Sequence, residues 1–468
     1  MKTILSIIAL LISFTSASYS QQPDWIWANS GGGSSVDYAT GISVDANQNV
    51  FVTGWFNSDS IIFGNTILIN IGKKGSSDIF IAKYNSSGEL VWAKSFGGSG
   101  DDKSNSIKAN KKGDIVITGS FNSNVIKFYN TVLNNTGDND VFIANSTEAG
   151  NLLWATSAGG SANDEGNSIS CDDKNNTYLT GIFESASLSF GNKTLTNNGK
   201  HDIFIACYTS SGKLIWAKNM GGDDDDLGST ITTTPKGDSY LSGKFNSAKV
   251  DLGGITVKNV DINGSPCKIF LAKYNAAGNL MWGKSIGGSY YDEANSITSD
   301  KRGNVYLTGW FKSDTIILGC DTLMECTILT QQRGVDYGDI FIAKYSSGGE
   351  PVWAQRAGGM AKDYGFGIAT DAIGDVYLSG VFESNFISFG GMQLTNASGN
   401  DIFISKYNAT GQVVWAKSIY GSAQSRAITT DSNGDIYLTG IFNSTQMTLG
   451  SGRLINQGSG DFFVGKLK

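Results

Sequence analysis

Histidine is nearly absent from this chain: His201 is the only one in 468 residues. That excludes zinc sites built on histidine clusters and leaves a Ser-His-Asp arrangement a single candidate base. His201 also falls in a loop position where other copies of the same segment carry Ser77, Asn139 or Gly338, the setting of a solvent-exposed residue. Proline is scarce, at 4 residues, and only 16% of residues are charged, so a disordered or linker-rich chain does not fit. The formal net charge is −7 with no local basic patch, so nucleic acid is not an expected partner. Five cysteines are too few and too uneven for a disulfide framework. Cys320 and Cys326 share one loop and could close a small disulfide. Cys171 and Cys207 fall on strands separated by a third, which at ~4.8 Å per strand sets them about 10 Å apart and keeps them unbonded.

No apolar run reaches the roughly 20 residues of a membrane-spanning helix. The stretch at residues 4–14 follows Lys2 and precedes the small residues Ser18 and Ser20, the layout of a secretory signal. Residues 1–20 are expected to be removed, leaving 21–468 as a single exported domain, periplasmic or extracellular.

What the chain does have is glycine, 60 residues of it, and a repeat. Trp27, Trp92, Trp154, Trp216, Trp282, Trp353 and Trp415 recur at intervals of 62 to 71 residues. After each of the first six, Gly-Gly stands at the fifth and sixth positions and an Asp at the tenth: Asp37, Asp102, Asp164, Asp226, Asp292 and Asp363. The seventh copy has Tyr420-Gly421, then Ser425 at the tenth position and Arg426 beside it, and is two residues shorter before the next landmark. That landmark is a Phe closing a segment such as Asn-Val-Tyr-Leu-Thr-Gly-Trp-Phe (304–311). Such a period marks a solenoid or a propeller.

Each copy holds four strand-like segments rich in Val, Ile, Tyr, Phe and Thr, here called a to d, with tight Gly-containing turns between a and b and between c and d. The chain opens on a d-type segment (24–30) and stops after a c-type one (461–468). Pairing these two closes a ring and leaves no open edge. The expected fold is therefore all-β: a seven-bladed β-propeller of four-stranded blades, with extra hairpins between b and c, and blade 7 completed by residues 24–30.

The motifs Gly-Gly-x-x-x-Asp, Asp-x-x-Gly-Asn and Val-Tyr-Leu-Thr-Gly, seen together at 287–309, resemble the bacterial β-propeller repeat family often labelled SBBP. The resemblance covers essentially the whole mature chain. It implies a propeller in a cell-envelope or secreted setting and no defined reaction. A Gly-x-Leu-x-Trp element (88–92, 278–282) is similar to quinoprotein blades, but the eight blades and vicinal cysteines of those enzymes are missing.

Variation is one-sided. From the landmark Phe to strand c the copies measure 22, 19, 19, 23, 28, 19 and 19 residues, whereas the rest of the register is nearly constant. In a propeller the b–c and d–a connections share one face, which becomes the candidate binding face. The longest connection (312–338), with Arg333, Asp336 and Tyr337, is the expected specificity element. Trp55 and Trp310 end strand b beside this face and are the candidate glycan contacts, and Arg426 marks the odd blade. The repeated Asp has two readings, a carboxylate ring near the channel mouth able to hold Ca²⁺, or turn capping at the entry to strand a; recurrence in six copies favours capping. The run 223–226 of four Asp lacks the spacing of a Ca²⁺ loop and reads as a solvated acidic loop. The Trp of strand d reads as packing on the next blade.

These features point to a monomeric binding propeller that meets a glycan or protein partner, with no cofactor expected apart from Ca²⁺. An envelope lyase or hydrolase using carboxylates at the channel mouth is the alternative, and a structural part in a surface assembly is the third reading.

Overall fold

The computed structural model describes residues 22–72, 74–259, 267–319, 327–331 and 337–468. The segment 1–20 expected to be a signal, Cys320, Cys326, Arg333 and Asp336 lie outside the described residues. Within them every regular element is a strand, and no helix is long and apolar enough to cross a membrane.

Blade 1 shows the plan. Strand a (Asp37–Val44), b (Val50–Phe56), c (Asp78–Tyr84) and d (Leu90–Phe96) form one antiparallel sheet in chain order. Five further blades repeat it, beginning at Asp102, Asp164, Asp226, Asp292 and Asp363. Strands a of neighbouring blades lie against one another and so line the axis. Strands b and c are buried almost throughout, because each is sandwiched between two blades; that is why they read as continuous apolar runs and not as alternating ones. Strand d, at the rim, is half exposed.

Blade 7 is assembled from both ends of the chain. Ala423–Thr430, Ile436–Phe442 and Asp461–Leu467 supply a, b and c, and Trp25–Gly31 supplies d. Ala28 pairs with Gly465 and Gly31 with Phe462, while Asp24 and Lys468 exchange two backbone hydrogen bonds of 2.9 Å. Trp25 and Ala28 pack on the blade 7 core.

The b–c connections carry the two-stranded hairpins the sequence pattern suggests, such as Ser60–Phe63 with Thr66–Ile69. Several lean back on the end of strand d in the preceding blade, as Ser189 does on Gly159.

The Gly-Gly motif has a packing cause. A Cβ placed on Gly159 would lie 2.1 Å from the Asp140 carboxyl, and one on Gly97 would lie 2.1 Å from Asp78. The chain has to pass this close because the first residue of strand c points at the d–a connection of its own blade. Gly159→Ala should therefore cost about 3 kcal/mol or more through overpacking. Denaturant melts of Gly159→Ala, and of Gly159→Ala combined with Asp140→Ala, check this: the second change should recover part of the loss.

Strand a carries a bulge in every blade. Thr40, Asn105, Asn167, Ser229, Asn295, Phe366 and Arg426 are the residues left out of the a–b pairing. The bulge pushes a carbonyl toward strand b, and a Cβ on Gly54 would meet Tyr38 O at 1.8 Å. Hence the Gly of the Thr-Gly pair.

One expectation changes. Ala423, not Ser425, pairs with Phe442 as Asp37 pairs with Phe56. The two missing residues come out of the d–a connection, ahead of the Asp position. Ser425 accordingly matches Ala39, and Arg426 takes the bulge position of Thr40.

Candidate binding site at the channel mouth

The six repeated aspartates are fully buried. Asp37 accepts hydrogen bonds from Gly33 N (2.7 Å), Ser58 N (3.2 Å) and Ser58 Oγ (2.8 Å). Asp226, Asp292 and Asp363 repeat all three contacts with Ser247, Ser313 and Ser384. Asp102 and Asp164 are held in the same way by Ser123 and Ser185. The geometry joins the d–a connection to the loop after strand b and leaves the carboxylates no access to the channel. Among the described residues no group of three or more His, Cys, Asp or Glu could hold a metal ion. In blade 7 Ala423 has no carboxylate to offer, and Ser444 Oγ donates to Gln446 O instead.

A second set of buried carboxyls opens strand c: Asp78, Asp140, Asp202, Asp339, Asp401 and Asp461. All but Asp401, which has Ala423 at that place in the next blade, sit across a blade junction from a repeated aspartate. Burial, then repulsion from Asp102, pushes Asp78 up to about 7. Asp461 rises to about 7 from burial and the facing Asp37. Burial likewise raises Asp102, Asp164, Asp202 and Asp292 to about 6 and Asp363 to about 7, against the hydrogen bonds that favour the charged forms. One oxygen each of Asp78, Asp140 and Asp461 has no hydrogen-bond partner. Two junctions carry a cation: Lys268 replaces the strand c Asp facing Asp292, and Arg356 Nη1 lies 2.9 Å from Asp339.

The axis opens differently. The bulge residues face one another around the channel, and four of them donate to the next blade: Thr40 to Ser104 O (2.7 Å), Asn105 to Gly166 O (3.1 Å), Asn167 to Gly228 O (2.9 Å) and Asn295 to Gly365 O (2.8 Å). Ser229, Phe366 and Arg426 make no such bond. The Arg426 guanidinium lies between blades 6 and 1, 5.6 Å from the Phe366 ring centre and 5.5 Å from that of Tyr38. Tyr38 in turn lies 4.5 Å from Trp55, and Lys103 Nζ stands 4.9 Å from the same indole. On the other side Phe366 stacks on Tyr364 at 6.0 Å, and Tyr364 meets Trp310 edge-on at 5.3 Å. An arc of five rings and one guanidinium thus runs over blades 5, 6, 7 and 1.

Tyr38, Thr40, Trp55, Asn105, Asn295, Phe366 and Arg426 enclose a cavity of about 560 Å³. Only the axis is common to blades 1, 2, 5, 6 and 7. Tyr38 begins strand a and Trp55 ends strand b, so the cavity opens on the face of the hairpins. Arg426 Nη2 donates to Gln424 at 3.2 Å, its Nε has no partner, and burial lowers its pKa. No carboxylate among the described residues forms an ion pair with it.

The structure thus brings Trp55 and Arg426 into one cavity and links Trp310 to them through Tyr364 and Phe366. Tyr38, Tyr364 and Phe366 escape a period-two reading of strand a; their signal is their count from the landmark Asp, one residue on for the tyrosines and three for Phe366. Tyr337 is exposed, at 46%, and stands apart from the cavity. The Trp residues of strand d tie blades together: Trp92 Nε1 donates to Glu148 O and Trp154 Nε1 to Ser210 O, each in the next blade's c–d turn. His201 is partly exposed and lies 2.6 Å from Asp225, while Asp224 pairs with Lys200 at 2.7 Å. Cys171, Cys207 and Cys267 are free thiols. A larger opening of about 770 Å³ flanks the seam of blades 6 and 7, beside Tyr420 and Gly421 of the shortened connection.

Fold and mouth together define a seven-bladed β-propeller compatible with an interaction scaffold. The β-propeller repeat model SBBP matches residues 282–310, from Trp282 in strand d of blade 4 to Trp310 in strand b of blade 5, consistent with the bacterial β-propeller repeat family. An uncharacterized WD repeat-containing protein of Acanthamoeba polyphaga mimivirus is 24% identical over 531 residues, covering 94% of this chain and 38% of that protein. Regulatory protein FlaEY of Caulobacter vibrioides is 27% identical over 116 residues, 25% of this chain and 12% of its own length. The chain therefore spans well under half the length of these curated relatives. Among solved structures, Sqt1 from Chaetomium thermophilum is similar at 10% identity and a TM-score of 0.44, over 90% of this chain and 97% of its own. The blade count rests on the strand pairing above.

Proposed function

We propose that this protein is an exported binding propeller that presents its hairpin face, centred on the channel mouth, to a glycan or protein partner. The observation that carries the reading is the arc of Trp310, Tyr364, Phe366, Arg426, Tyr38 and Trp55 around an open cavity, on the one face where connection lengths vary. Rings and Arg are the side chains that most often anchor a ligand, since they offer large contact area at low entropic cost. The opposite face holds short turns alone. Carboxylate catalysis gains no support, because the repeated aspartates are sealed from the channel.

A glycan array and an envelope-protein panel probed with the full chain test the proposal. Trp55→Ala should weaken the ligand found by tenfold or more, and a melting curve separates that loss from the packing lost against Tyr38 and Lys103. A ligand that ignores Trp55→Ala and Tyr38→Ala but is lost on changing the c–d turns would place binding on the opposite face and sink the proposal.

A further inference from the structure

The belt of bulge residues explains what Arg426 is not doing. At four junctions a Thr or Asn spans the gap to the next blade's carbonyl. Arg426 holds the same position in blade 7 and makes no such bond; its side chain hydrogen-bonds to Gln424 in its own strand and to Tyr38 of blade 1. Tyr38 and Phe366 cover its two faces from the neighbouring blades. Ring contacts satisfy the faces of a guanidinium and leave the N–H groups at its edge, which is the part that grips a planar carboxylate with two parallel hydrogen bonds. Nε is buried and unpartnered, as is the hydroxyl of the adjoining Ser425. Of the two glutamates that follow the repeated Asp, Glu293 is paired with Lys244 at 3.1 Å, and neither it nor Glu165 lines the cavity.

The charge count restricts the ligand. Arg426 is the single cation among the lining residues, with Lys103 Nζ held over the Trp55 ring beside it, and in a chain of net charge −7 this local positive charge suits an anionic group. Beside it, Trp55 and Tyr38 pack on one another at 4.5 Å, tilted at 36°, and both line the cavity, while Asn105 and Asn295 keep their amide oxygens free for hydroxyl donors. An aromatic wall, hydroxyl partners and one carboxylate grip describe a sugar acid more closely than a peptide end.

We propose that the axial cavity binds the carboxylate of an acidic sugar, with Arg426 as its counter-charge and Trp55 with Tyr38 as the platform for the pyranose ring. This rests on the reading of the hairpin face as the binding face. Titration calorimetry of the full chain with tri-galacturonate and with its methyl ester tests it, because the ester removes the charge and keeps the sugar. The acid should bind at least tenfold more tightly than the ester, a difference of about 1.4 kcal/mol. Arg426→Gln should abolish that preference, Arg426→Lys should keep part of it, and Trp55→Ala should weaken both probes alike; melting curves confirm that each variant folds. Equal binding of acid and ester, or a preference that survives Arg426→Gln, overturns the inference. So does the absence of heat with either probe at millimolar concentration. Ester binding that still depends on Trp55 overturns only the choice of an acidic ligand and leaves the proposed function standing, whereas tighter binding of a peptide carboxylate than of tri-galacturonate replaces the sugar.

Discussion

Thermal unfolding of this propeller should shift to lower temperature as the pH rises from 5 to 8. The carboxyls responsible face one another across blade junctions, Asp78 and Asp102, Asp140 and Asp164, Asp202 and Asp226, Asp461 and Asp37, together with Asp363 at the junction where Arg356 pairs with Asp339. Burial raises Asp78, Asp363 and Asp461 to about 7 and Asp102, Asp164 and Asp202 to about 6, with repulsion from the facing carboxylate adding to it at all of these but Asp102. In the unfolded chain they titrate near their ordinary value of 3.8. A group whose pKa is raised by folding holds its proton more tightly when folded. Its contribution is complete below about pH 4 and is lost as the pH climbs through 6 to 7. One proton relieves a pair, so at about 1.4 kcal/mol per pKa unit even one unit realised per junction gives several kcal/mol over the ring. Calorimetric scans should show a melting temperature at pH 5 at least about 5 °C above that at pH 8. Asp78→Asn, which keeps an acceptor for the Ile71 N–H and cannot ionise, should raise stability at pH 8 by about 1–2 kcal/mol and flatten the slope. A melting temperature that climbs steadily from pH 5 to pH 8 would contradict the assignment.

Removing residues 22–31 should have the largest effect of any single change. Those residues are the fourth strand of blade 7, and without them the edge of Asp461–Leu467 stands open with no rim strand over it. The loss combines a ladder of backbone hydrogen bonds with the packing of Trp25 and Ala28 on the blade 7 core, and of Trp27 between Tyr84 and Tyr437. A penalty above about 5 kcal/mol follows from losing so many contacts together. An exposed apolar edge also recruits other strands. The truncated chain should melt without a sharp transition and elute as higher oligomers in size-exclusion chromatography. A synthetic peptide of residues 22–31 should restore the single transition, because it supplies the same edge. A truncated chain that melts as sharply as the intact one would mean that the ring does not depend on its seam.

Strands, blade count and closure are legible in the sequence because each copy repeats the same landmarks at fixed offsets, and the ends are out of phase by one strand. Counting from Trp415 fails in blade 7 for one reason: it assumes a constant d–a connection, and that is where the two residues are missing. Arg426 then reads as an extra neighbour of Ser425, when it occupies the bulge that points into the channel. The bulge itself is invisible to alternation, since it breaks the two-residue period at the residues that line the cavity. Tyr38, Tyr364 and Phe366 escape notice for that reason, whereas Trp55 and Trp310 stand out against the Ser, Ile, Lys and Val of the other copies. The carboxyl at the start of strand c is plain in the repeat, but its complete burial runs against the ordinary behaviour of aspartate, and only the packing reveals it.

The paired ends have a topological consequence. Trp25 stands opposite Leu467 as Leu90 stands opposite Tyr84, so Asp24 and Lys468 stand at the site of a c–d turn. In blade 1 that turn is the five residues 85–89. In residues 24–468, three residues inserted between Lys468 and Asp24 would complete a turn of the same length between Leu467 and Trp25, and a cut at any other c–d turn should then give a circular permutant with the same seven sheets. The ring thus has one seam, at blade 7, and a break moved to any other c–d turn should preserve the same strand pairing.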